Sequence, residues 1–201
     1  MNVSEQPVSA RERSRIATRE RLIASARHLF ALRGLHRVTT HEIARGAGVA
    51  AGTFYLHFSD KEAIFREIAY DGIDRLRVHL AQARGSAHSV RSAVQAHAEA
   101  LVGFAEAESD LVNMLFGRDH SAAELESEII DYSATVMTEN LIERRALGIF
   151  PSDLDPAVTA QALTGMFSRT LAWWIEDRSR ASRDDVIRTL VRVQLAGTYT
   201  E

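Results

Sequence analysis

From Arg15 to Arg33 the apolar positions Leu22, Ile23, Ala26, Leu29 and Phe30 recur at the spacing of one helix face, and Gly34 then supplies a stop. Thr39-Thr40-His41-Glu42 has the form of a capping box. The Thr39 hydroxyl can accept from the Glu42 amide while the Glu42 carboxylate reaches back to the Thr39 amide. The pattern predicts a short helix through Ile43 and Ala44, ended by Gly46-Ala47-Gly48, and a second from Val49 to His57. Ser59-Asp60-Lys61-Glu62 reads as another capping box, opening a long helix to about Arg84. Further helices are predicted near 89–107, 109–117, 122–147, 155–179 and 183–197, with breaks at Gly85-Ser86, Gly117-Arg118-Asp119 and Gly148 to Pro156. No stretch alternates with period two over a convincing length, so an all-α fold of about nine helices is expected.

Two short helices joined by a tight glycine turn satisfy the geometry of a helix-turn-helix. Ala44 is small where the second helix must cross, and Gly48 can take a left-handed conformation without a Cβ penalty. Val49 and Phe54 would then seal the second helix onto Leu29, Phe30 and Ile43. Each choice also has an ordinary packing explanation; the joint spacing carries the information.

Charge sharpens this picture. The formal net charge of −3 hides an asymmetry: residues 1–61 carry ten basic and five acidic side chains, and the remainder fourteen basic and twenty-two acidic. A basic front and an acidic remainder point to a polyanion met by the front alone. Lys61 is the only lysine. The absence of cysteine excludes a disulfide framework and thiolate chemistry, and fits a cytoplasmic protein. The opening residues MNVSEQPVSARERSR lack an apolar h-region, so no secretory signal is expected, and no run of about 18 apolar residues occurs, so no membrane span is expected. Residues 1–14 read as a loose arm, 15–60 as the helix-turn-helix domain and 61–201 as a second helical domain.

Residues 18 to 65 resemble the N-terminal domain of the TetR family almost position for position. The matching elements are Leu29-Phe30, Arg33-Gly34, Ile43-Ala44, Ala47-Gly48-Val49, Gly52-Thr53, Tyr55, His57-Phe58 and Lys61-Glu62. The later helices match in number and length only. The resemblance implies a recognition helix from about Ala50 to Leu56 in the major groove of double-stranded DNA. Thr53 would touch a base edge or phosphate, Tyr55 and His57 would donate to phosphates, and Lys61 would add charge at the next helix start. Thr39 and Thr40 would set a second phosphate contact, with His41 beside the backbone. Ala50, Ala51 and Gly52 complete the candidate reading face. Ala50 and Ala51 depart from the family, where a hydroxyl and a longer polar side chain are usual. This leaves methyl contacts and DNA shape for readout. Arg11, Arg13, Arg15, Arg19 and Arg21 suit a solvated face or one or two phosphate contacts.

For residues 62–201 the resemblance implies a homodimer that binds a palindromic operator and a small hydrophobic effector. Phe104, Met114, Phe116, Tyr132, Met137, Phe167 and Trp173 are the candidate pocket residues, although the same side chains suit ordinary core. Leu163, Phe167, Leu171 and Trp174, with Leu190 and Val193 of the final helix, are the candidate dimer contacts, with intrachain core as the alternative. Glu106, Glu108 and Asp110 could serve a cationic ligand or simply lie at the surface. The resulting expectation is a ligand-responsive repressor; the alternative is an activator or an effector-independent DNA binder. No zinc-ligand spacing, P-loop or G-x-S-x-G elbow is present, so neither enzyme activity nor a cofactor or metal is expected. His88, His97 and His120 do not fit a simple helical ligand pair.

Overall fold

The computed structural model describes residues 9–83, 89–117 and 123–199. Among the described residues the chain forms nine α-helices and no strand. They are α1 (Ala10–Arg33), α2 (Thr40–Gly46), α3 (Ala51–Phe54), α4 (Lys61–Ala83), α5 (Val90–Ala107), α6 (Ser109–Phe116), α7 (Ala123–Ala146), α8 (Pro156–Glu176) and α9 (Arg183–Thr198). A 3-10 turn, Arg178–Arg180, joins the last two. None of these helices is long and apolar enough to cross a membrane.

The first helix starts five residues before the apolar pattern indicates. Ser9 caps it, its hydroxyl accepting from the Glu12 amide at 3.1 Å, and Glu12 then pairs with Arg15 at 3.3 Å. The expected arm of 1–14 is therefore helical from Ala10, while residues 1–8 lie outside the described range. These first turns bury nothing, so hydrophobic periodicity could not reveal them; the cap could. The start of α4 is a second correction. Asp60 rather than Ser59 is the capping side chain, accepting from the Ala63 amide at 2.7 Å, and the Ser59 hydroxyl donates to Asp60 at 3.0 Å.

The apolar faces assemble into one core that runs through the boundary drawn at residue 60. Leu22, Phe30, Ile43, Phe54 and Ile64 are fully buried, and the same cluster continues through Ile68 to Leu111, Met114 and Ile129. Phe30 meets Phe65 edge-on at 5.6 Å, fixing α1 against α4. A second cluster joins the ends of α4 and α5 to α8 and α9. Trp174 belongs to it, and its indole N–H donates to the Ala181 carbonyl at 2.9 Å, anchoring the turn into α9.

This second cluster revises the candidate dimer contacts. Leu163, Phe167, Leu171, Trp174 and Leu190 are buried within their own chain, which leaves them little surface to offer a partner. Only Val193, half exposed at 50%, faces outward. Periodicity reports that a face is apolar, not which neighbour covers it. The outward faces of α8 and α9 carry smaller side chains, Val158, Ala162, Gly165, Val193, Ala196 and Gly197.

Gly72 marks where α4 and α6 approach most closely, since a Cβ there would lie 2.4 Å from Cδ2 of the buried Leu111. Gly72→Ala is expected to destabilise by about 1–3 kcal/mol through overpacking. In a chain of this size that lowers the Tm by roughly 2–12 °C. Thermal denaturation followed by circular dichroism checks this, and an unchanged or higher Tm would show that Leu111 yields freely.

Candidate nucleic-acid interface and ligand cavity

The helix-turn-helix is built from the capping box outward. The Thr39 amide donates to Glu42 Oε2 at 2.9 Å and the Glu42 amide to Thr39 Oγ1 at 3.2 Å. Arg33 reaches from the end of α1 to Glu42 Oε1 at 3.0 Å. Gly48 adopts φ +67°, the left-handed turn expected of it. The Ser25 hydroxyl donates to the Ile43 carbonyl at 2.9 Å, and Gly46 packs against the same Ser25 so tightly that a Cβ would lie 2.3 Å from its oxygen. The two short helices are thus held to α1 by hydrogen bonds and close packing together.

The regular part of α3 is a single turn, shorter than the expected Val49 to His57. Beyond it the amides of Leu56 and His57 bond back three residues, to Thr53 at 3.2 Å and Phe54 at 2.9 Å. Ala50 caps α3 with no side-chain hydrogen bond. Phe54 is fully buried while Tyr55, 60% exposed, turns outward. The Tyr55 and Thr40 hydroxyls lie 3.0 Å apart, so α2 and α3 present a joined pair of hydroxyls. His41, Ala50 and Gly52 are exposed, and Ala51 and Thr53 are partly so.

Two residues are placed otherwise than their sequence position suggests. The Lys61 ammonium donates to the carbonyls of Leu35, His36 and Val38, at 3.0, 3.3 and 3.1 Å. An ammonium has three protons, so all its donors hold the α1–α2 loop onto α4. His57 turns its Nδ1 inward, where it has no partner. Burial, with the positive charges of Arg15 and Arg19, lowers the pKa of His57 below that of an ordinary histidine. Arg19 is committed elsewhere: it forks onto Glu67 and stacks 4.7 Å over the Phe58 ring.

A cavity of about 170 Å³ lies among α4, α5, α6, α7 and α8. Phe104, Phe116, Met137 and Phe167 line it, as expected. Met114, Tyr132 and Trp173 do not. Met114 is sealed in the first core cluster. Tyr132 packs edge-on against Tyr70 at 4.8 Å. Trp173 is 37% exposed on the outer face of α8, under Arg180. The acidic run beside the cavity serves arginines of the chain: Glu106 pairs with Arg178 and Arg183, and Glu108 with Arg27 and Arg75. Among the described residues no group of three or more His, Asp or Glu could hold a metal ion. Of the three histidines weighed above, His88 and His120 fall outside the described residues.

A family model described as bacterial regulatory proteins, tetR family, matches residues 22–68. The HTH-type transcriptional regulator YdgC of Bacillus subtilis is 32% identical over 155 residues, covering 75% of this chain and 77% of its own. The chain belongs to the TetR family. Its fold is shared with the fatty acid degradation regulator FadR from Bacillus halodurans (TM-score 0.73, 20% identity, 88% and 94% of the two chains). It is shared equally with FadR from Bacillus subtilis, solved with stearoyl-CoA (TM-score 0.68, 20% identity, 89% and 98%). This TetR-family chain is therefore a transcriptional regulator with an N-terminal helix-turn-helix and a C-terminal helical domain.

Two surface residues of the TetR-family head escaped the sequence reading. Leu56 is 77% exposed at the end of the recognition turn, and Arg45 is exposed in the last turn of α2. A leucine between two polar neighbours was the available signal for the first, because an inward leucine would have matched the burial of Phe54 and Phe58.

The capping box has a pH signature. Arg33, then the Thr39 amide and hydroxyl, lower the pKa of Glu42 from its ordinary 4.5 to about 2. A depressed carboxylate contributes stability above its unfolded pKa and loses it as pH falls toward the folded value. The stability difference between wild type and Glu42→Gln is therefore expected to be constant above pH 4.5 and to shrink from there to about pH 2. Urea unfolding across this range measures it; a difference independent of pH would refute the pairing.

Proposed function

We propose that this regulator is a repressor that binds a palindromic operator as a homodimer and is released by a small hydrophobic effector. The observation that carries the reading is the joint between α5 and α6. Glu108 there is gripped by Arg27 of the helix-turn-helix domain and by Arg75 of α4. Phe104 and Leu111, three or four residues away on either side, line the cavity. A molecule that spreads those two side chains would move the joint and with it α1. The FadR relative bound to stearoyl-CoA, a long hydrocarbon chain on a charged carrier, supports an effector with an apolar chain.

On the DNA side, Thr39, Thr40, His41, Thr53, Tyr55 and His57 are the proposed contacts, with Ala50, Ala51 and Gly52 giving close approach. Lys61 orders the loop that carries Thr39 instead of meeting phosphate. The outward faces of α8 and α9 around Val158, Gly165 and Val193 are the proposed partner surface. Two heads would then read half-sites about 34–36 Å apart.

Selection of bound DNA from a random library, followed by fluorescence anisotropy with and without stearoyl-CoA, tests the whole reading. Loss of DNA affinity on addition supports it; no selected sequence, or no apolar molecule able to shift affinity, would sink it. A reporter with and without the gene separates repressor from activator.

Tyr55→Ala is expected to weaken binding to every DNA sequence by about 5- to 10-fold, one hydrogen bond's worth, with the Tm nearly unchanged. Unfolding of the head by this change would make Tyr55 a structural residue. Glu108 has a pKa held below the ordinary carboxylate range: burial opposes its ionisation, but hydrogen bonds from Arg27 and Arg75 outweigh it. Glu108→Gln is expected to retain DNA binding while reducing the ratio of DNA Kd values with and without effector by several-fold. An unchanged ratio would remove Glu108 from the coupling path.

A further inference from the structure

The core stripe of α9 runs Val186, Ile187, Leu190, Val191, Gln194 and Thr198. Thr198 closes the stripe at the last helical position, and within it Gln194 is the polar residue, a carboxamide with 8% exposure where apolar residues precede it by three and four. It also lines the cavity, the one α9 residue to do so among the described residues. Its Oε1 is fully enclosed and has no hydrogen-bond partner. Burying an amide oxygen without a donor works against folding. A leucine of similar volume would fill the site without that cost, so packing does not account for glutamine here.

We infer that Gln194 is the polar anchor of the cavity, recognising a neutral hydroxyl or amide on an otherwise apolar molecule. The inference rests on the cavity being the effector site. A carboxamide turned through 180° exchanges its oxygen and nitrogen, so it can accept from an O–H or N–H and donate in return. It carries no charge, and an anion enclosed beside it would lose its hydration with no positive partner from Gln194. Most of the remaining lining is hydrocarbon, such as Leu101, Phe104 and Leu171, and its other neutral polar groups are engaged within the chain: Ser133, Asn140 and Ser168 donate to backbone carbonyls and His97 lies against the Phe167 ring. The cationic alternatives stand apart: Arg144, in the last turn of α7, and Arg77 of α4 line the same cavity. A carboxylate ligand would go to one of these arginines and would not depend on Gln194.

The test uses the full-length protein, wild type and Gln194→Leu, titrated calorimetrically with octan-1-ol, n-octane and octanoate. Wild type is expected to favour octan-1-ol, and Gln194→Leu to weaken it about tenfold, as expected for one buried hydrogen bond. Octane affinity should hold or rise. The ligand-free variant is expected to have a higher Tm, the opposite of what a residue kept for packing would show. Equal loss for octanol and octane, or an octanol affinity indifferent to the substitution, overturns the role of Gln194 while leaving the cavity as a ligand site. Octanoate binding more tightly than octanol in both proteins overturns it in favour of a cationic anchor, Arg144 or Arg77. Failure of all three probes to bind wild type overturns the cavity as a site for apolar molecules, and the anchor with it.

Discussion

Glu108 is the constraint on which the relation between the two halves of the molecule depends. It ends α5 and opens α6, and its carboxylate accepts from Arg27 on α1 and Arg75 on α4. Taking a carboxylate partly out of water is unfavourable unless paired charges compensate, and here two guanidinium groups do so. The arrangement ties α1, α4 and the joint between α5 and α6 together at one pair of oxygens. Because α1 belongs to the reading head and α5 and α6 to the cavity wall, the position of one is not independent of the other. The apolar core reinforces this coupling, since Leu22 and Ile129 belong to one continuous cluster.

Within the head, scaffold and display are separate sets of side chains. Phe54 and Phe58 face inward, and Lys61 spends its ammonium on three backbone carbonyls. Arg19 is held between Glu67 and the Phe58 ring. What is left to face outward on α3 is mostly short: alanines, a glycine, the hydroxyls of Thr53 and Tyr55, and an exposed leucine, with Thr40, His41 and Arg45 beside them on α2. Such a surface suits contact through backbone phosphates and shape more than a code of bidentate base pairings.

The last helices divide their apolar residues between the interior and the exposed face largely by size. Large side chains on α8 turn inward to α6 and α7, and Trp174 pins the helix end through the Ala181 carbonyl. The outward faces carry alanine, glycine and valine, with Trp173 as the large exception, covered in part by Arg180. The cavity occupies the space that the large side chains of α8 leave against α4 and α5, and Gln194 enters it from α9.

The helices of this chain and its family were legible without coordinates because they depend on local chemistry. The Thr39–Glu42 box, the positive φ of Gly48 and the inward Phe54 follow from short-range geometry that any reader of the residues can reconstruct. The start of α1 at Ala10 was legible too, in Ser9 and Glu12, but not in hydrophobic periodicity, because those turns bury nothing. Tertiary structure alone decided the rest. It alone showed that Lys61 caps a loop, that Leu163 and Trp174 lie inside, that Met114 misses the cavity and that Gln194 reaches it. Each of these depends on which surface of another helix arrives opposite. A period of 3.6 residues tells which side chains share a face, and only the packing of distant segments tells what that face meets.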